Sequence, residues 1–172
     1  MLLRSELPVV IRVKGRDFVP RDKEVAEQFK SLTFSLTDVI RILADPDPLF
    51  IANKMIGFVN FTYLSGVRGV HVTGSLLGIE APWGRIAQRL QRNEADLKTI
   101  VNETINRRND IVHRADREKK SLDGPPQEIG YAWAKQAVDT IIHVCLCLDE
   151  LVSAHMSELE AQGEIVAATG TL

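Results

Sequence analysis

Apolar residues recur at three- and four-residue steps through most of the chain, and that spacing predicts helices. Near the start, Pro8-Val9-Val10-Ile11-Arg12-Val13 is a β-branched run closed by Gly15. It predicts a short extended arm over residues 1–20, laid on a bundle or on a partner subunit, since one strand makes no stable sheet alone. A first long helix is expected over 22–44, with Val25, Phe29, Leu32, Leu36, Val39, Ile40 and Leu43 as its apolar stripe. Asp45-Pro46-Asp47-Pro48 stops it, because two prolines remove backbone donors. A second helix, 49–64, is apolar nearly all round, which predicts central burial or a face shared between core and partner.

Gly66, Gly69, Gly74 and Gly78 then predict a loose connector, with His71 as a loop histidine. The glycines lack the G-K-[ST] that would make a phosphate loop. After Pro82-Trp83-Gly84 a helix is expected from about Arg85, broken near Asn93, followed by a helix bearing Leu97, Ile100, Val101, Ile105, Ile111 and Val112. The charged run 114–123 and Gly124-Pro125-Pro126 predict a mobile loop. The last helix is expected over 127–159, with a heptad-like seam through Trp133, Ala137, Ile141, Val144, Cys145, Leu148, Leu151, Val152 and His155. Residues 161–172 hold little that would bury and are expected to fray as a flexible tail. The pattern is thus all-α, with a bundle over residues 21–160.

Composition narrows the function classes. The 172 residues are 45% hydrophobic and 26% charged, ordinary for a single globular domain. A net charge of −2 gives no global attraction to nucleic acid. Locally, six Lys/Arg stand against three acids between Arg107 and Lys120, enough for a few phosphates. The same cations also complement the dipole at a helix C-terminus. Two cysteines, Cys145 and Cys147, support neither a disulfide framework nor a zinc site. No apolar run reaches the roughly 18 residues of a membrane span. A cytoplasmic protein with no membrane partner, no metal and no cofactor is expected.

The candidate chemistry lies in Arg107-Arg108-Asn109-Asp110-Ile111-Val112-His113-Arg114, where arginines, an amide and a histidine crowd onto a helix. At about 100° per residue, Asn109 and His113 share a face, whereas Arg108 and His113 stand about 140° apart. A second copy of the helix across a twofold axis brings two Arg/His sets together more easily than one helix does. A histidine titrates near neutral pH in general, so His113 is the candidate base or acid. Arg108 is the candidate fork for non-bridging phosphate oxygens. Asn109 would orient one or the other, and Arg107 and Arg114 would hold flanking phosphates. The bland alternative is an interfacial hydrogen-bonded pair without turnover.

Arg108-Asn109-Asp110-Ile111-Val112-His113, an arginine and polar residue followed by a histidine on a helix, resembles the motif of the HEPN family. The extended stretch Arg107 to Asp116 is similar to the HEPN subgroup named RiboL-PSP. The resemblance implies an antiparallel bundle of four to five helices, a homodimer, and a metal-independent endoribonuclease with Arg108, Asn109 and His113 at its site. RNA would then be the substrate, with an antitoxin or a larger defence-system protein as a further partner. Some members are inactive and only bind RNA or protein, which keeps a non-catalytic helical dimer as the alternative. Ala115 stands where HEPN toxins paired with nucleotidyltransferases carry a tyrosine, so control by modifying such a tyrosine is not available.

Overall fold

The computed structural model describes residues 2–59, 66–114 and 128–169, and these are all-helical. Eight α-helices follow one another: α1 (Leu2–Lys14), α2 (Lys23–Phe29), α3 (Leu36–Ala44), α4 (Pro48–Val59), α5 (Gly66–Leu76), α6 (Pro82–Leu90), α7 (Glu94–Arg114) and α8 (Tyr131–Thr169). A 3₁₀ turn, Gly15–Asp17, follows α1. The core is built from Leu7, Leu76, Leu77, Ile79, Ile86, Leu97 and Leu159, none more than 1% exposed. Burying such a side chain contributes about 1.5–3 kcal/mol each. The 39 residues of α8 run about 58 Å, so it carries α6 and α7 on its first half and α1 on its second.

The sequence pattern misplaces four features. Residues 2–14 are helical instead of an extended arm. Leu3, Leu7, Val10 and Ile11 fall on one helical face and are buried, with α1 packed on α4 and α8. That burial outweighs the β-branched run and Pro8, which sits inside the helix. The single helix expected over 22–44 is two. Ser31 Oγ donates to the Gln28 carbonyl, and Ser35 and Asp38 form a capping box that starts α3 afresh. The glycine connector is α5, where Gly69 and Gly74 are buried and Gly74 lets α6 approach closely. A Cβ on Gly74 would lie 2.8 Å from the Pro82 ring. Finally, α8 continues to Thr169, past the point where a frayed tail is expected. The helix count therefore exceeds the expected four to five.

The last helix begins at Tyr131, four residues later than expected, with 128–130 non-helical. Asp47 and Pro48 open α4, and Asn93 caps α7 through its Oδ1, accepting from Ala95 and Asp96. The mobile loop expected over 114–126 falls almost wholly outside the described residues, as do residues 60–64 of the second expected helix. None of the described helices is long and apolar enough to cross a membrane.

α3 stands apart. It buries no residue, and Leu36, Ile40 and Leu43 are 77%, 58% and 80% exposed. What ties it down is polar: Asp38 accepts from Lys54 of α4 at 2.8 Å, and Arg41 lies 4.1 Å over the Phe50 ring.

Candidate functional site

α7 is anchored by Leu97 and Val101, both buried, and by Ile105, half-buried beside Gly66. Beyond that point the core ends. Ile111, Val112 and His113 are exposed, so the last turn carries the histidine into solvent. His113 is not walled in. Arg108 is exposed, Arg107 and Asn109 half-buried, and the Arg114 side chain lies outside the described residues.

Arg108 and Asn109 are in direct contact. Arg108 Nη1 donates to Asn109 Oδ1 at 3.0 Å. Around the helix axis Asn109 lies between Arg108 and His113, about 100° from the first and about 40° from the second. The guanidinium is therefore drawn part of the way toward the histidine's side. Arg107 faces elsewhere, about 120° from His113.

Arg107 belongs to a groove between α7 and the start of α8, about 440 Å³ in volume. Glu103, Asn106, Arg107 and Asp110 recur at three- and four-residue steps on the α7 side, and Ile129, Gly130 and Trp133 close the other side. Glu103, Asp110 and Glu128 make the groove more acidic than basic, a poor place for a phosphate. Neither Arg108 nor His113 lines it. The sequence reading missed this groove, although the helical spacing of Glu103, Asn106, Arg107 and Asp110 was available to reveal its α7 wall.

α8 is apolar on two sides. One side, Ala137, Val144, Leu148, Leu151 and Val152, is buried, while of the other residues of the expected seam Ile141 and His155 are half-buried and Trp133 and Cys145 exposed. The other presents Tyr131, Val138, Ile142 and Leu146, between 48% and 81% exposed. Steps of seven, four and four residues align these into one stripe. A surface helix rarely shows such a stripe to water without a partner.

The remaining histidines are elsewhere. His71 is on α5 and not in a loop, its Nε2 3.2 Å from Oδ2 of Asp22. His143 is exposed and His155 is half-buried, both on α8. Cys145 is exposed and Cys147 buried, the latter's thiol pushed up by burial, with Glu150 adding to it. Among the described residues, no group of three or more His, Cys, Asp or Glu side chains is placed to hold a metal ion. No family model, curated protein or solved structure matches the chain.

Proposed function

We propose that the chain is a metal-independent endoribonuclease of HEPN type, acting on single-stranded RNA as a homodimer. In this reading a ribose 2′-hydroxyl attacks the adjacent phosphorus, and the 5′-oxygen of the next nucleotide leaves. His113 takes the proton from the nucleophile or returns one to the leaving oxygen. Arg108 holds the non-bridging oxygens as charge builds in the transition state. The products are a 2′,3′-cyclic phosphate and a 5′-hydroxyl, and DNA resists because it lacks the nucleophile.

The observation that carries the reading is the Arg108–Asn109 bond near the end of α7, with Arg108 and His113 both exposed. It gives a permanently charged donor a fixed direction on the helix that also carries an accessible imidazole. The exposed stripe of Tyr131, Val138, Ile142 and Leu146 supports a partner seated on α8. The deciding experiment incubates the protein with single-stranded RNA in EDTA. Cleavage that falls about 10²- to 10⁴-fold in His113→Ala and in Arg108→Ala supports the enzyme.

A second reading is a dimer that binds RNA or protein without turnover. It is favoured by the roughly 140° between Arg108 and His113 within one helix, which keeps a single protomer from closing a site. RNA retention with intact termini in the same assay selects it.

A further inference from the structure

α8 carries another polar centre about 33 Å beyond Trp133, at His155. The imidazole is only 18% exposed. Its Nδ1 lies 3.7 Å from Oε2 of Glu158, and its Nε2 is sealed from solvent with no hydrogen-bond partner. Nε2 faces Gly78, where a Cβ would come within 3.0 Å. Gly78 also has φ of +81°, so a glycine there serves both the turn and the room the ring needs. An unpartnered buried nitrogen is costly enough to ask what it is kept for.

His155 and Gly78 help line a cavity of about 370 Å³ between the end of α1, the segment 17–21 and the turn after α5. That volume suits a small molecule. Val10, Phe18, Val19 and Pro20 supply apolar wall. Lys14 and Arg21 supply positive charge against Asp17. Arg21 is held only by a loose 3.6 Å pair with exposed Glu80, and Lys14 has no ion pair among the described residues.

We propose that this cavity binds a small organic monoanion, its carboxylate held by Lys14 and Arg21 and its apolar body lying against Val10, Phe18 and Pro20. The count of fixed charge, two cations against one carboxylate, suits a single negative charge better than a phosphate dianion. Arg21 offers the planar fork that matches a carboxylate. The site is remote from the α7 tip and stands whether or not the chain cleaves RNA.

Binding is coupled to pH through His155. Burial holds its imidazole below the ordinary value of 6.5; Glu158 opposes this, while Lys14 of α1 and Arg85 of α6 reinforce it. Arg21 and Asp17 face the same cavity. An anion bound there favours the protonated ring, and by reciprocity protonation favours the anion. Affinity therefore rises as pH falls toward and below the ordinary histidine value of 6.5.

The test is an NMR titration of the full chain with sodium hexanoate, alongside hexanol, hexylamine and inorganic phosphate. Saturable shifts at Phe18 and His155 with hexanoate, and not with hexanol or hexylamine, are expected. Lys14→Gln should weaken hexanoate about tenfold, while Lys135→Gln should not. His155→Gln should abolish the gain at lower pH. Equal shifts with hexanol, tighter binding of phosphate, or no saturable shift at millimolar hexanoate would each overturn the proposal. If His155→Gln fails to fold, the Lys14→Gln result and the anion–alcohol comparison in the native chain still decide it.

Discussion

Arg108 donates to Oδ1 of Asn109, its immediate neighbour, at 3.0 Å. A bond between adjacent helical residues runs around the axis, and here it runs toward the side that His113 occupies. Asn109 is thus a positioning residue for the arginine. Asn109→Ala should free the guanidinium to wander and lower the cleavage rate about 10- to 100-fold, the scale of a misplaced group. RNA affinity should stay near native, because Arg108 keeps its charge. Single-turnover kinetics beside a filter-binding isotherm separate the two. Equal loss of rate and affinity would make Asn109 a contact to RNA instead.

The first helix is part of the core and not an appendage. Leu7 is fully buried. Leu7→Ala should cost about 2–5 kcal/mol in urea unfolding, as for a large apolar side chain removed from a close-packed site. A loss below about 1 kcal/mol would mean that α1 can detach without disturbing the rest.

How far the sequence revealed this molecule follows from what its signals measure. Apolar spacing located α4, α6, α7 and α8 because each buries a stripe in the common core. It also joined α2 to α3 across Ser31 and Ser35, since the stripe continues while the hydrogen bonding does not; the Ser35–Asp38 capping pair was the cue to a new start. The Val9–Ile11 run read as strand because β-branched residues favour extended backbone locally, whereas the helix is chosen by distant contacts to α4 and α8. Gly69 and Gly74 read as loop because glycine spacing does not reveal a close helix crossing. For the site, spacing placed Arg108 and His113 on different sides of one helix, as found. It was silent on the Arg107 groove and the His155 cavity, which are made by residues far apart in the chain.

Asp22 gives a pH prediction. Its Oδ1 accepts from the amides of Glu24 and Val25 at 2.8 and 3.0 Å, capping α2, and its Oδ2 faces His71. The Val25 bond holds its carboxyl below the ordinary 3.8, partial burial opposes this, and His71 adds to the lowering. A carboxyl lowered in the fold stabilises above its unfolded value, and that stability is lost as pH falls through the folded value. Asp22→Ala should therefore cost about 0.5–2 kcal/mol at neutral pH. The gap between native and variant should close below the ordinary 3.8. Urea midpoints across acidic pH check it, and a gap that persists in acid would rule out the charged cap.

Two glycines predict opposite signs for one substitution. Gly57, on α4, has nothing within 4 Å of the place an added methyl would take, so Gly57→Ala should stabilise by up to about 1 kcal/mol through helix propensity. At Gly74 the same methyl would sit 2.8 Å from the Pro82 Cβ and Cγ atoms. That ring opens α6 and cannot rotate away. Overpacking costs about 1–3 kcal/mol and should outweigh the propensity gain. Thermal midpoints that move together in both variants would deny the close α5–α6 crossing.

The dimeric reading makes its sharpest claim in mixtures. Neither an Arg108→Ala chain nor a His113→Ala chain should cleave alone. If the arginine of one subunit serves the histidine of the other, a heterodimer of the two variants keeps one intact site. Random exchange makes half the dimers mixed, so activity should return to about a quarter of native. Adding Ile142→Glu to both chains places a charge in the exposed α8 stripe and should abolish the rescue together with the dimer, read by sedimentation. The variant should still fold, because Ile142 is 48% exposed. Dimers that exchange but regain nothing would put both groups in the same chain, where about 140° of helix separates them and only the Asn109-directed bend of Arg108 could bring them together.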